Sequence, residues 1–297
     1  MNRLATVLAA VLLPYSAIAE DVTVSGRDAF ILGMKTTCGT TEAGKTRYGV
    51  FEGRAYSRVP GEKDRHLFNL LGINVRQCSR HEDPVRGDGF RSVSREIMVY
   101  LDKDSGEIVD SWDNPWTGKT NEIVHVANDP VSMRAIRWEK DDNGEPAREM
   151  SLRRYGDMVA ASFEVPLFYP NPLGGDYQQY VGGTYHAMEI FNTFYYADKA
   201  LDSSVTSIGD TRLAWSRVAQ WLPMLEMGSK PGLMVFNATG FSTFDKSLIP
   251  DKLARILDER YPLYWTPPPV DDKRPNETSW TVFKKHIGEV NKVEATH

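Results

Sequence analysis

Apolar and polar positions alternate with a period of two along most of this chain, the signature of half-buried strands. The pattern predicts strands over residues 48–59, 66–79 and 92–101, the last reading SVSREIMVYL. The loop DKDSG and a return over 107–112 follow, which predicts a hairpin. Further strands are predicted over 122–127, 133–139, 149–155, 158–165, 185–197, 213–221 and 232–244. Helical spacing is confined to short stretches. One runs over 28–34, with Phe30, Ile31 and Met34 on one side. Another runs over 250–261, where Pro250 suits the first turn, Asp251 favours the positive end, and Leu253, Ile256 and Leu257 form a stripe. A last short helix is predicted around 281–290.

No alternation of strand and helix runs through the chain, so a parallel sheet is excluded. Many antiparallel strands must dispose of their open edges, and closure into a barrel does so most completely. The predicted fold is therefore all-β: a single antiparallel β-barrel, lipocalin-like in general architecture, with a few short helices. A two-sheet β-sandwich is the alternative. A barrel of many strands encloses more room than side chains fill, and so has space for a ligand.

The first residues, MNRLATVLAAVLLPYSAIAE, add a compartment. Arg3 precedes a short apolar run that Pro14 breaks, and Ala17-Ile18-Ala19 fits the small-x-small cleavage rule. The expected organisation is a signal peptide over 1–19, one barrel domain over 20–266, and a proline-rich, then charged, peripheral tail over 267–297. The expected location is periplasmic or secreted, and the apolar run is too short to span a bilayer. Charge agrees: 35 Lys and Arg against 40 Asp and Glu give a net charge of −5, and the basic residues are scattered. This mild acidic excess argues against nucleic acid and anionic membrane surfaces as partners, and nothing predicts membrane insertion. Cys38 and Cys78 are the two cysteines; export would allow a disulfide between them, and two free buried thiols are the alternative.

The segments LDKDSGEIVDSWDNPWTGK, VHVANDPV and SVTSIGDTRLAWSRVAQWLPMLEMGSKPG occur in this order. In them the chain resembles a largely bacterial domain-of-unknown-function family, number eighteen thirty-eight, over roughly residues 30–264. The resemblance implies one exported domain and no established reaction.

Candidate chemistry clusters on two strands. In YHAMEIFNTFYYA, alternation puts His186, Met188, Ile190, Asn192, Phe194 and Tyr196 on one face, and Tyr185, Ala187, Glu189, Phe191, Thr193 and Tyr195 on the other. Both faces are too apolar for open water. A buried Glu189 needs a partner or takes up a proton, which is how a general acid is made; a Glu–Arg pair in a structural network is the alternative. In LAWSRVAQW, Arg217 shares a face with Trp215 and Trp221, where a guanidinium can hold developing negative charge. His186 or Tyr196 is the candidate base. His186 and Glu189, three apart, fall on opposite strand faces, which strains that assignment. Trp112, Trp116, His125, Asn192, Trp215 and Trp221 are candidate ligand-lining residues. His125 points into the cavity if Val124 and Val126 face an outer layer, and is a surface histidine otherwise.

No nucleophile elbow, phosphate loop or dinucleotide fingerprint is present, and the six histidines lack ligand spacing. No cofactor and no metal are expected. The remaining readings are cofactor-independent proton transfer on a lipophilic or aromatic small molecule (a lyase or isomerase), binding of such a molecule without turnover, and sugar stacking on Trp112 and Trp116. Most of SWDNPWTGKTNEIVHVANDPV reads as corner chemistry, with Pro115 and Pro130 ending strands and Thr117-Gly118 a turn.

Overall fold

The computed structural model describes residues 19–170, 173, 180 and 183–294. The predicted signal peptide lies outside the described residues but for its last position. Along the described chain run β1 (Glu20–Ser25), α1 (Gly26–Cys38), β2 (Arg47–Arg58), β3 (Arg65–Asp83), β4 (Gly87–Asp102), β5 (Ser111–Asp113), β6 (Thr120–Glu122) and β7 (Val126–Asn128). They are followed by β8 (Arg137–Trp138), β9 (Glu149–Tyr155), β10 (Met158–Tyr169), β11 (Tyr185–Tyr196), α2 (Ala197–Leu201), β12 (Thr211–Ala219), β13 (Leu233–Thr243), α3 (Asp251–Arg260) and α4 (Ser279–Glu294).

Eleven strands form one sheet in the order β1-β9-β10-β11-β12-β13-β2-β3-β4-β7, with β8 added on β4. Its ladders are antiparallel, as the absence of crossover helices requires. Among the described residues no ladder joins β1 to β7. Side chains from distant strands of the sheet nevertheless meet in one interior. One buried cluster gathers Tyr185 and Ala187 of β11, Ala219 of β12, Phe236 of β13, Ala55 of β2, Phe68 and Leu70 of β3, and Met98 and Tyr100 of β4. Glycine makes part of this packing possible. A Cβ on Gly72 would lie 2.4 Å from the Phe51 ring and 2.7 Å from the Ile97 carbonyl oxygen, so only glycine lets Phe51 lie across β3.

The opposite face of β2–β4 carries Val50, Leu71, Ile73, Ile97 and Val99, and α3 covers it with Leu253, Ile256 and Leu257. That stripe is the one its sequence spacing predicts. α1 is tied to β3 by a Cys38–Cys78 disulfide, with the two Cα atoms 6.0 Å apart. No described helix is long and apolar enough to cross a membrane.

Three expectations need correction. The predicted return after β4 does pair back across the DKDSG turn, through Asp102 N–H to the Glu107 carbonyl, Val109 N–H to the Tyr100 carbonyl and a bridge from Leu101 to Ile108, but it leaves β4 there and its last residues enter β5; the neighbouring ladder on that side of β4 belongs to β7. The strand predicted over 122–127 is split into β6 and β7. The C-terminal segment is not peripheral: Trp280, Phe283 and Ile287 of α4 are buried in the main cluster, each such side chain contributing about 1.5–3 kcal/mol by leaving water.

Candidate functional site

The two-residue period of β11 turns Tyr185, Glu189 and Phe191 inward and His186, Met188, Asn192 and Tyr196 outward. Register then makes a pair that neither strand specifies alone. Glu189 lies directly opposite Arg217 of β12. Arg217 Nη1 donates to Glu189 Oε1 at 3.0 Å, and Nη2 donates to the Tyr185 hydroxyl at 3.0 Å. Both side chains are largely buried, at 16% exposure for Arg217 and 19% for Glu189. The third nitrogen of the fork, Arg217 Nε, is buried and meets no acceptor among the described residues.

Burial lifts the Glu189 carboxyl above the ordinary glutamate range; Arg217 pulls against that shift and the charge of Glu96 adds to it. For Arg217, burial works against the charged form. The attraction of Tyr185 and Glu189 outweighs it, and the guanidinium ends above its ordinary value. The two partners therefore shift upward together. The guanidinium is permanently charged, and the carboxyl gives up its proton reluctantly. Burial also pushes the Tyr100 and Tyr169 hydroxyls up. The group thus offers an oriented cation whose Nε–H meets no acceptor among the described residues, a carboxyl whose burial works against its charged form, and hydroxyls that stay neutral.

Beside it runs an aromatic band on the same face. Phe163 stacks on Phe191 with centroids 4.9 Å apart. Phe191 meets Trp215 at 6.5 Å, and Trp215 meets Phe51 at 6.2 Å and Phe236 at 6.0 Å. Phe163 is 51% exposed, so the band starts at solvent and leads inward to the charged pair.

Of the residues singled out from sequence, the structure brings Glu189, Arg217 and Trp215 together. It separates His186, Tyr196 and Asn192 from them, because even positions of β11 point away from odd ones. His186 is exposed, with its ring edge-on to Phe168 at 5.0 Å. Tyr196 is 51% exposed at the strand end. Asn192 shares a hydrogen bond with Ser162 on the outer face.

Trp112, Trp116 and Trp221 form a second chain: Phe68 to Trp112 at 5.3 Å, Trp112 to Trp116 at 6.3 Å, Trp116 to Trp221 at 5.1 Å. The indole N–H of Trp116 donates to Glu62 and that of Trp221 to the Lys230 carbonyl. These rings brace the corner loop, where Asn114 Oδ1 accepts from the backbone N–H groups of Trp116 and Thr117. Trp221 lies beyond the end of β12, so the shared face with Arg217 stops at Ala219.

His125 lies between β6 and β7, where valine parity says nothing about its direction. It is buried, and its Nδ1 accepts the Tyr100 backbone N–H at 3.2 Å. Burial, with Arg260 nearby, lowers its pKa. It completes the hydrogen bonding of β4.

Two cavities border the site without containing Glu189 or Arg217. A groove of about 650 Å³ lies mainly on the opposite face, lined by Phe194, Arg212, Phe241, Leu248 and others. A second, of about 310 Å³, reaches Tyr185 from the side of Trp221, Gln220 and Lys230. We assign the site to the charged pair and its aromatic band, because cavity size without convergent polar groups does not make chemistry. Among the described residues no three His, Cys, Asp or Glu side chains group tightly enough to hold a metal ion.

Sequence reasoning passed over Glu96 and Tyr185. A signal existed for Glu96: in REIMVY it shares parity with Met98 and Tyr100, so an acid stood on an otherwise apolar inward face.

A family model described as a protein of unknown function, DUF1838, matches residues 44–287. That span contains β2 to β13 and every residue of the site just described. No curated protein matches the chain.

Proposed function

The chain belongs to the DUF1838 family, a membership that carries no reaction, and from that premise we propose that it binds a small lipophilic or aromatic molecule on the concave face of the sheet. The ligand carries an oxygen that accepts the idle Arg217 N–H, and its apolar body lies along Phe163, Phe191 and Trp215. The observation behind this reading is the unpartnered, buried Arg217 Nε. Leaving such a donor unsatisfied costs about 1–3 kcal/mol, which an acceptor on the ligand recovers. The reading treats the sheet as a barrel-like container. The shared cluster of β4 and β11 side chains supports that. It also treats the protein as exported, to the periplasm or beyond; the Cys38–Cys78 disulfide, a bond kept in oxidising compartments, supports that. Glu189 next to the anchored oxygen makes proton transfer available, which favours a lyase or isomerase over a passive carrier. Sugar stacking gains less support, since the Trp116 ring already carries Arg65 at 5.2 Å.

Titration of the protein with a panel of aryl ketones and phenols, followed by tryptophan fluorescence and native mass spectrometry, tests the binding. Saturable one-to-one binding is expected, and it is lost when Glu189→Leu and Arg217→Met are combined to remove the polar anchor while keeping volume. Non-saturating titrations of the parent, or equal affinity in the double variant, would refute the reading.

A further inference from the structure

A second carboxyl faces the same interior from the far wall. Glu96 lies on β4, which is five strands away from β11 in sheet order. Asn128 Nδ2 donates to Glu96 Oε1 at 2.9 Å, and Asn74 Nδ2 donates to Oε2 at 3.4 Å. Asn74 is itself oriented, because Arg76 Nε donates to its Oδ1 at 3.0 Å. Arg76 Nη1 in turn reaches the Thr37 carbonyl at 3.4 Å, in the last turn of α1. The next residue of that helix is Cys38, bonded to Cys78 of β3. A continuous set of contacts thus runs from the disulfide to the Glu96 carboxyl and fixes its direction. Asn128 is buried, and its Oδ1 has no partner among the described residues.

Parity and packing place this carboxyl on the wall that faces Glu189. Met98 and Tyr100 share a buried cluster with Tyr185 and Ala187, so the inner faces of β4 and β11 meet across the interior. Glu96 lies one inward step beyond Met98, and Glu189 lies one inward step beyond Ala187. The electrostatics follow that geometry: Glu96 acts on Glu189, and Arg217 and Tyr185 act on Tyr100. Around Glu96 lie Asn74 and Arg76 of β3, Asn128 of β7 and Glu189 of β11, and its charge also reaches Tyr264 beyond α3.

We propose that Glu96 and Glu189 work as a proton acceptor and donor on opposite walls of one site, with Arg217 holding the oxygen, and that the ligand is an enolisable carbonyl compound whose double bond the pair shifts. The proposal rests on the binding reading above. Both Glu96 oxygens accept from asparagine amides, which holds that carboxyl as an acceptor, and Glu189 takes the donor's part on the opposite wall. With the carbonyl oxygen on Arg217 Nε, Glu96 removes a proton from the carbon next to the carbonyl. The C–H electrons form the carbon–carbon double bond of a dienolate, and the negative charge on oxygen rests against the guanidinium. Glu189 then gives its proton to the distal carbon, the electrons return, and the carbonyl re-forms. One proton is lost and one gained, so substrate and product are isomers. Glu96 ends protonated and Glu189 ionised, and exchange with solvent restores both.

The first half-reaction can be tested without the natural substrate. β-Tetralone, an aromatic ketone with acidic C–H groups, is incubated with the full chain in D2O. Proton NMR follows C–H exchange, and saturation transfer on the same sample reports binding. The parent is expected to accelerate exchange above the buffer rate, and Glu96→Gln to lower that acceleration by about 100-fold or more with binding unchanged. Should Glu96→Gln fail to fold, Glu96→Asp keeps the charge but withdraws the carboxyl, and is expected to slow exchange as well. Binding without accelerated exchange in the parent, or undiminished exchange in both Glu96 variants, overturns the acceptor role and leaves the binding reading standing. Absence of saturable β-tetralone binding to the parent overturns the carbonyl ligand, whereas failure of the whole ketone and phenol panel overturns the binding reading itself.

Discussion

The two faces of β11 carry similar residues and treat them differently. Inward, Tyr185, Glu189 and Tyr195 lie among aromatic side chains, and each titratable group has a partner: Arg217 for Tyr185 and Glu189, Thr193 for Tyr195. Outward, His186, Asn192 and Tyr196 meet solvent, and their contacts are the edge of Phe168, the hydroxyl of Ser162 and the Lys199 ammonium. Residue type is alike on the two faces, so chemistry here follows from what lies across the ladder. Burial in a low-dielectric interior makes the Glu189 carboxyl a reluctant acid even though the arginine opposite pulls the other way. A histidine on the outward face meets solvent and the edge of Phe168.

The largest expected effect comes from breaking the inward pair. Arg217→Ala strips Glu189 and Tyr185 of their partner while both stay buried, and should cost about 3–5 kcal/mol, read as a shift in the urea midpoint at constant slope. A loss below about 1 kcal/mol would show that the inward face relaxes as easily as the outward one, and the contrast between them would fail.

How much of this could be read from the chain divides along the same line. Local periodicity gave the strand at 149–155 as it stands in β9, the helices α1 and α3, and the division of β11 into two faces without saying which points inward, because each depends only on neighbours in sequence. The Glu189–Arg217 contact depends on the register of β11 against β12, and neither strand encodes register by itself. Glu96 stayed hidden for a similar reason: its role comes from β4 meeting β11 across the interior, over about 90 residues of chain. For His125, valine parity misled, because β6 stops at Glu122 and β7 starts at Val126, with no strand to alternate along. Whether Cys38 and Cys78 pair was a question of Cα separation, which spacing in sequence cannot answer.

A smaller effect lies in the pH dependence of stability. Burial raises the folded pKa of Glu189 above its ordinary value near 4.5. The folded protein thus holds this proton more tightly than the unfolded chain does. Its contribution is then most favourable below the ordinary glutamate value and is lost as pH rises through the folded one. Glu189→Gln removes that dependence. The stability of the parent minus that of Glu189→Gln, measured by urea titration from acid to neutral pH, should therefore decline as pH rises past the ordinary glutamate range. Taking the difference cancels carboxylates whose pKa is lowered, such as Asp83 with its Arg86 and backbone partners, because these are common to both proteins. A difference that increases with pH would mean that Arg217 outweighs burial, and Glu189 would lose its character as a proton donor.

The smallest expected effect sharpens the comparison most. His186→Ala should change stability by no more than about 0.5 kcal/mol, as substitutions on open surface do, Tyr196→Ala by no more than about 1 kcal/mol, and both should leave ketone binding and exchange unchanged. For His186 the reason is geometric. Its backbone N–H donates to Gln220 Oε1 at 2.9 Å and does so with any side chain, and its ring gives up only an edge contact with an exposed Phe168. Tyr196 loses a cation–π contact with Lys199 at 5.7 Å, an exposed arrangement worth about 0.5–1 kcal/mol at most, so it should be the costlier of the two. A roughly tenfold weaker ketone affinity in either variant, about 1.4 kcal/mol, would place the outer face in the site. It would return His186 to the role of base that its residue type suggests and its position on the strand denies it.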